Sequence, residues 1–317
     1  MSVVRSTAFA VAGGLAAALL FVSLAKGNVG GVMLMGMTPL PLFLAGLSFG
    51  IVPAAIASMV GAVVILAADT LYGTIFVVDF ALPVMIVVAL ALWRRRGETK
   101  WPSAGRLIFG LTALAAVVFI ASDVSLAGQP GGMEGSLRLA VDALSKELRD
   151  QDPQIGDQVE ALLQAAVRWM PGLGASAWIG LIAANGVLAQ GALAGFGWAR
   201  RPAPTLADVT VPWWALVPLA LALGAAVLGR DLLGGEIAFA GSNLTVILAM
   251  PFLFQGLGVI HALVARSKRR AWLLAGVYGA VLIFGWPIPL IVALGVIEQW
   301  VGLRRRYAAT GQEKSDG

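Results

Sequence analysis

Long stretches without a charged residue recur along this 317-residue chain. Several contain 17 or more residues, enough for a helix to cross the roughly 30 Å hydrocarbon core of a bilayer. Charged residues make up 12% of the chain, about half of the roughly 25% typical of soluble domains. The polar–apolar alternation that marks outer-membrane barrel strands is absent from the sequence. The sequence therefore predicts an all-α fold, a polytopic bundle of transmembrane helices.

We expect eight to ten spans in this bundle. The apolar runs that predict them are 7–25, 31–49, 51–71, 74–93, 106–124, 173–198, 212–229, 241–265, 271–285 and 287–303. The last two runs are short, so 271–303 forms either two full spans or a hairpin that stops short of the far side. The apolar run after Arg5 resembles a signal peptide. Because further apolar runs follow it, we expect it to form the first transmembrane helix.

Basic residues cluster at the ends of the apolar runs. The clusters are Arg94–Arg96, Arg200–Arg201, Arg266–Arg270 and Arg304–Arg306. This distribution is typical of the positive-inside rule, and it argues against a nucleic-acid surface despite a pI near 10.0. An even number of spans separates consecutive clusters. We therefore expect a multi-pass protein of a bacterial inner membrane with both termini cytoplasmic and no nucleic-acid partner.

The chain divides by hydropathy into four parts. We expect an N-terminal bundle at 1–124, an extracytoplasmic amphipathic loop at 125–172, a C-terminal bundle at 173–306 and a disordered cytoplasmic tail at 307–317. The loop holds seven acidic and four basic residues, without the basic excess of an inner loop. Its apolar residues fall on two helical stripes, joined at Asp152-Pro153, which reads as an N-cap and first helical residue. The stripes are Leu137, Val141, Leu144, Leu148 and Ile155, Val159, Leu162, Ala166, Met170.

This helical loop has two interpretations. It forms a hairpin on the membrane surface or against the bundle, or it acts as a mobile lid over an outward-facing cavity.

Two prolines interrupt the second apolar run, in the stretch "MTPLPLFLAG". Thr38-Pro39 reads as an N-cap and first helical residue, and Pro41 falls in the same first turn. A helix start at membrane depth directs free N–H groups into the protein, an arrangement that transporters use to hold substrates. The alternative is a kinked span whose free backbone groups bond to neighbouring side chains.

Three carboxylates fall in the predicted outer half of the bundle, at Asp69, Asp79 and Asp123. Acidic residues within spans are costly and are default candidates for function. We expect them to converge on a site for a cation, a proton or an amine-bearing ligand, or else to be solvated or to cap helices at the interface.

Further polar residues within the predicted spans complete the candidate ligand-binding set. They are Asn185, Gln255 and His261. Asn185 and Gln255, with Gln190 and Asn243, also suit hydrogen bonding between helices. His261 near the inner membrane boundary either pairs with Glu298 or lies alone at the interface.

The sequence favours no catalytic chemistry. It has no Cys, no GxxxxGK[ST], no GxSxG and no HExxH, and a single His makes a zinc site improbable. We therefore expect no enzyme activity, no cofactor and no metal. The small-residue motifs "GLSFG" and "GALAG" allow a homo-oligomer but indicate it only weakly.

The C-terminal third resembles the YybS-like bacterial membrane proteins. The residues that carry this resemblance are Gln255-Gly256-Leu257, Val259-Ile260-His261, the basic turn after them, Tyr278 and the final "EQWVGLRRR", together with the early "TPLPLFLAGLSFG". That family is similar in topology to the S components of energy-coupling-factor vitamin transporters. The resemblance implies a small-molecule site in the outer half of the bundle and an ATP-driven partner.

Two functions follow as expectations. The first is small-solute binding or uptake as an S-component-like subunit in the lipid bilayer, with the site between Thr38, Pro39, Pro41, the three aspartates and Asn185. The second is a non-transporting scaffold or assembly factor of the cell envelope, whose 125–172 helices dock an envelope protein.

Overall fold

The computed structural model describes residues 3–93, 101–232 and 234–307, and the regular structure in these ranges is helical throughout. The predicted all-α membrane bundle is therefore confirmed. The Arg94–Arg96 cluster and residues 308–317 of the predicted tail lie outside the described residues.

Fourteen α-helices follow one another in the described ranges. The first seven are α1 (Val3–Val22), α2 (Val29–Gly36), α3 (Pro39–Phe49), α4 (Ile51–Ala68), α5 (Thr70–Phe76), α6 (Leu82–Leu92) and α7 (Ala104–Leu126). The others are α8 (Gly132–Gln151), α9 (Pro153–Ala166), α10 (Met170–Gly195), α11 (Leu216–Leu232), α12 (Gly235–Val264), α13 (Arg270–Phe284) and α14 (Pro287–Val301).

Seven helical segments among the described residues have the length and apolarity to cross a membrane. They are Val3–Ala25, Val29–Phe49, Ile51–Ala68, Thr70–Leu92, Ala104–Leu126, Pro153–Gly195 and Gly235–Val264. Three shorter apolar helices, Trp213–Gly229, Arg270–Phe284 and Pro287–Val301, coincide with the remaining predicted runs. Helices α13 and α14 have 15 residues each, about 22 Å at 1.5 Å per residue, so an untilted helix of this length does not cross a 30 Å core.

The chain forms two compact units, and each consists of two separate stretches. The first unit is Met1–Leu111 with Trp178–Thr210, and the second is Thr112–Ala177 with Val211–Gly317. These units are defined by packing, whereas the four predicted parts are defined by membrane location. The predicted division stays a prediction.

Aromatic rings and close helix contacts hold the first unit together. Phe21 of α1 packs edge-to-face on Phe76 and Phe80, with ring centroids 5.6 and 5.7 Å apart. Gly46 of the predicted "GLSFG" motif packs on Val88 of α6, where a Cβ would come within 2.7 Å of the valine side chain. In the second predicted motif, "GALAG", a Cβ at Gly191 or Gly195 would meet nothing within 4 Å.

In the second unit, α12 and α14 touch backbone to backbone. A Cβ on Gly256 would lie 2.0 Å from the carbonyl oxygen of Ile291, and one on Gly295 would lie 1.9 Å from that of Phe252. Small residues allow this approach in membrane helices, where dispersion and hydrogen bonds take the place of a hydrophobic driving force.

The predicted amphipathic loop forms the helices α8 and α9. Asp152 caps α9 by accepting from the backbone N–H groups of Gln154 and Ile155, and Pro153 is the first helical residue, as predicted. Arg149 of α8 forms ion pairs with Asp157 and Glu160 of α9. The predicted α8 stripe is partly wrong, because Leu144 is exposed and Ser145 is buried beside Val141. The buried side of α8 thus includes a position that hydropathy alone left out.

Candidate functional site

The candidate site lies in the first unit, where α2 ends at Gly36 and α3 begins at Pro39. Pro39 and Pro41 both fall in the first turn of α3, as predicted, where missing N–H groups leave no helical bond unmade. Two short-range bonds close the junction, from Thr38 N–H to Met35 O (2.9 Å) and from Leu40 N–H to Met37 O (3.0 Å).

The predicted capping by Thr38 is wrong. Its backbone is helical (φ −50°, ψ −41°), and its hydroxyl makes no capping bond to α3. The reason is the tight turn at 37–38, which keeps the backbone helical where a side-chain cap needs an extended residue. The predicted break therefore stands as a junction between two helices, without an N-cap.

Asn185 of α10 bridges this junction to a third helix. Leu40 N–H bonds to Met37 O, so the carbonyl of Gly36 lacks its usual partner four residues later. The Asn185 side-chain Nδ2 donates to that carbonyl at 2.9 Å and to Leu181 O, also at 2.9 Å. One of the two interpretations of the prolines, a kink whose free backbone group bonds to a neighbouring side chain, thus holds at Gly36.

Two oxygen atoms beside this bridge have no partner among the described residues. They are the hydroxyl Oγ1 of Thr38 and the amide Oδ1 of Asn185. The residues are 0% and 3% exposed. An unpaired hydroxyl or amide in an apolar setting costs roughly 1–3 kcal/mol on the scale of protein mutations. A threonine hydroxyl both donates and accepts, whereas an amide oxygen only accepts.

Asp69 joins α4 to α5 as a helix cap. Its Oδ1 accepts from Tyr72 N–H at 2.9 Å, and its backbone is extended (φ −156°). The residue is exposed. This is the geometry of an N-cap, which was one of the two expectations for the carboxylates.

Asp79 lies in a π-helical turn, Val77–Ala81, between α5 and α6. Pro83, four residues later, has no N–H to give to the Asp79 carbonyl. The indole Nε1 of Trp178 donates to that carbonyl instead, at 2.8 Å. Single π-helical turns occur frequently at functional sites, so this half-buried aspartate stays a candidate.

Asp123 lies near the end of α7 in the second unit, where Glu236 is a neighbouring acidic group. Asp69 and Asp79 belong to the first unit. Convergence of the three carboxylates on one site stays a prediction.

Gln255 and His261 also belong to the second unit. Both polar atoms of the Gln255 amide form hydrogen bonds. Nε2 donates to Gly295 O and Oε1 accepts from Val211 N–H, each at 2.7 Å. His261 Nδ1 lies 2.9 Å from Leu257 O one turn back, and its ring packs edge-on to that of Tyr278. Glu298 pairs with Arg304 (2.9 Å) and does not form the alternative pair with His261. Ligand binding by Gln255 and His261 stays a prediction.

Two features of the first unit were not predicted from the sequence. The first is the hydrogen bond from Trp178 to Asp79 O. The sequence does indicate that this carbonyl needs another donor, because the proline four residues after Asp79 has no N–H. The second feature is Arg201, which was expected only to mark the inner end of a span and is in fact 6% exposed. Burial lowers the pKa of its guanidinium.

Comparison with known proteins gives one family. Residues 14–298 match the family described as "Predicted membrane protein (DUF2232)". No curated protein and no solved structure matches the chain. The match covers well over half of the sequence and is consistent with the resemblance to YybS-like membrane proteins, whereas the similarity to S components finds no support in it. The chain belongs to the DUF2232 family of predicted membrane proteins.

Proposed function

We propose that this membrane protein binds a small polar solute at the α2–α3 junction of its first unit. The observation that carries the proposal is the buried hydroxyl of Thr38, which has no partner among the described residues and precedes two prolines at a helix start. The free Asn185 Oδ1 belongs to the same junction, because the Nδ2 of that amide holds the carbonyl of Gly36.

The chemistry of the junction favours a ligand that has N–H or O–H groups. Such a ligand donates to Asn185 Oδ1 and exchanges a hydrogen bond with Thr38 Oγ1. Each bond replaces a desolvated atom with a paired one, which is how buried polar groups in a pocket give specificity. Asp79, whose carboxylate forms no hydrogen bond or ion pair with a described residue, is the candidate for a cationic group on the same ligand.

Uptake of this solute in the manner of an S component is the finer part of the proposal. The resemblance of the C-terminal third to YybS-like proteins supports it, and it requires an ATP-driven partner in a bacterial inner membrane. The positions of the basic clusters favour cytoplasmic termini and so an outward-facing α2–α3 junction.

Solute retention tests the proposal. Wild type, Thr38→Val and Thr112→Val are purified in mild detergent, and the small molecules they release on denaturation are compared by mass spectrometry. Thr112 is the matched control, because its hydroxyl is also fully buried and also has no partner, but it lies in the second unit. We expect a solute in wild type and Thr112→Val that falls at least tenfold in Thr38→Val. Equal retention by all three proteins, or by none, contradicts the proposal.

A non-transporting scaffold of the cell envelope is the second candidate. The observation that favours it is a row of exposed apolar residues on the α8–α9 hairpin, Ile155, Leu162 and Trp169, spaced seven residues apart. Deletion of 130–168 separates the two functions. The scaffold loses a co-purifying envelope protein, whereas Thr38→Val leaves that protein bound.

A further inference from the structure

The end of α10 in the first unit carries a second polar feature, separate from the α2–α3 junction. An open depression of about 430 Å³ is lined by residues 194, 197 and 199–203, including Arg200 and Arg201. We call it the Arg200 depression. Gly197 adopts φ +71°, and Trp198 N–H closes the helix end onto Leu193 O at 2.8 Å. The chain then turns away and presents residues 199–201 in extended or bent form.

Arg201 donates to backbone carbonyl groups here and pairs with no carboxylate among residues 3–93, 101–232 and 234–307. Its Nη1 donates to Ala91 O in the last turn of α6 (3.3 Å), and its Nη2 donates to Pro102 O (3.0 Å). A cation at a helix C-terminus is stabilised by the helix dipole, which favours the bond to Ala91 O, whereas Pro102 precedes the start of α7. The buried Nε of Arg201 has no partner among the described residues. The ion pairs of the described residues involve Arg138, Arg149 and Arg304, and neither Arg200 nor Arg201 takes part in one.

Arg200 lies beside Arg201 and is exposed. Its guanidinium packs on the Cα of Gly50, where a Cβ would come within 2.6 Å of Nη1. Arg200 forms no ion pair with a described residue. The positive φ of Gly50 (108°) favours glycine at that position.

Three successive residues that line the depression have backbone N–H groups without a described acceptor. Those of Ala199, Arg200 and Arg201 donate to no acceptor among the described residues. Successive free amides next to a guanidinium are a recurrent way to hold an anion, and arginine matches phosphate oxygens with two parallel bonds. Burial of a cation that pairs with no described carboxylate is unfavourable, and a bound anion offsets this cost.

We propose that the Arg200 depression binds a phosphate-bearing anion, with Arg200 as the direct ligand and Arg201 as a second positive charge behind it. The shared chemistry is a phosphate group, either on an anionic lipid at the membrane boundary or on a soluble molecule. This inference does not depend on the proposed solute site, because it rests on other residues of the first unit.

The test uses the full-length protein in three forms, wild type, Arg200→Gln and the control Arg106→Gln. Arg106 is an exposed arginine of the same unit. It lies in the first turn of α7 and does not line the depression. One arm measures the thermal shift given by inorganic phosphate against chloride at equal ionic strength. The other arm measures, by native mass spectrometry, retention of phosphatidylglycerol against phosphatidylcholine from mixed vesicles.

Either arm supports the proposal if it separates the two variants. A phosphate-dependent shift in wild type and Arg106→Gln that is lost in Arg200→Gln identifies a soluble phosphate ligand. Phosphatidylglycerol retention that falls tenfold or more in Arg200→Gln alone identifies a lipid, since a hydrogen bond to a charged group contributes roughly 1.5–3 kcal/mol. Arg200→Lys keeps the positive charge but loses the two parallel N–H donors of the guanidinium. Its phosphate response or lipid retention should fall between those of wild type and Arg200→Gln.

The proposal is overturned if Arg200→Gln and Arg106→Gln behave alike with both probes. Such a result would show that any response reflects general charge attraction. It is also overturned if Arg200→Lys and Arg200→Gln both match wild type in both arms. A failure here leaves solute retention at Thr38 unaffected, so the two proposals are tested separately.

Discussion

The side-chain amide of Asn185 donates to the backbone carbonyl of Gly36 at 2.9 Å, and so joins α10 to the helix junction 149 residues earlier in the chain. The two short-range bonds at residues 37–40 leave that carbonyl without a helical donor. Asn185 therefore stabilises an irregular piece of backbone inside an apolar unit, while its Oδ1 finds no partner among the described residues.

Replacing Asn185 with leucine should destabilise the first unit. The change removes the donor from a buried carbonyl, for which we expect a loss of about 1–3 kcal/mol in the free energy of unfolding. Unfolding by SDS in mixed micelles measures it. Val187→Ala on an exposed position of the same helix is the control and should change the stability little. Equal effects of the two substitutions would mean that the bond adds nothing measurable.

The glycine contact between α12 and α14 should tolerate no side chain. Gly256→Ala places a Cβ 2.0 Å from the carbonyl oxygen of Ile291, so the helices must separate. We expect a loss of several kcal/mol, or failure to accumulate a folded protein, at the upper end of point-mutation effects. Thermal unfolding followed by size-exclusion chromatography provides the measurement.

Gly279→Ala is the matched control for this substitution. Gly279 lies inside α13, and a Cβ there meets nothing within 4 Å. Alanine is the better helix former by about 1 kcal/mol, so this variant should be as stable as wild type or more stable. If Gly256→Ala is also as stable as wild type, the result contradicts the close approach of α12 and α14.

Gln255 should act as a structural bridge of the second unit. Gln255→Leu leaves the Val211 N–H without its acceptor and removes a side-chain donor from Gly295 O, and we expect a loss of about 1–3 kcal/mol, mainly for the buried N–H. Thermal unfolding of the purified variant measures the loss. A stable Gln255→Leu protein that no longer retains a solute would instead favour the predicted role of Gln255 in ligand binding.

The exposed apolar row on α9 should lie in the membrane interface. Ile155 and Leu162 are 52% and 72% exposed, and α9 continues through Trp169 into the apolar α10. The chain has no cysteine, so Leu162→Cys can be spin-labelled at a single site. In liposomes the label should be more accessible to oxygen than to a water-soluble nickel complex. Ala161→Cys, exposed on the neighbouring face, should show the reverse order.

Two other accessibility patterns would contradict an interfacial α9. Equal access of both reagents to both positions would place α9 in water. Low access at Leu162→Cys to both reagents would indicate that another protein surface covers it.

The sequence predicted the elements well because each has a local cause. Long charge-free runs can cross a bilayer only as helices, and Asp152-Pro153 fixes the start of α9 by short-range bonds. The site was harder to predict, because α3 and α10 are apolar on every side. Lipid and protein interior are both apolar, so the hydropathy of α10 does not show which of its faces packs on protein. The contact of Asn185 with Gly36 could therefore not be predicted.

The carboxylates show the same limit. An aspartate at a span boundary fits both a ligand site and a helix cap, and the cap at Asp69 is visible only in its extended backbone and its bond to Tyr72, while ligand binding there stays a prediction. The buried Arg201 was missed because the positive-inside rule reads an arginine pair as a marker of orientation alone. Its contacts to Ala91 and Pro102 join residues about 100 positions apart, which no local pattern encodes.

An experimental density map of the protein isolated in native membrane lipid would test the solute site most directly. The account predicts non-protein density within hydrogen-bond distance of both Thr38 Oγ1 and Asn185 Oδ1, and loss of that density in Thr38→Val. A map in which the Thr38 hydroxyl bonds to a neighbouring carbonyl, with protein side chains filling the space beside Asn185, would contradict it.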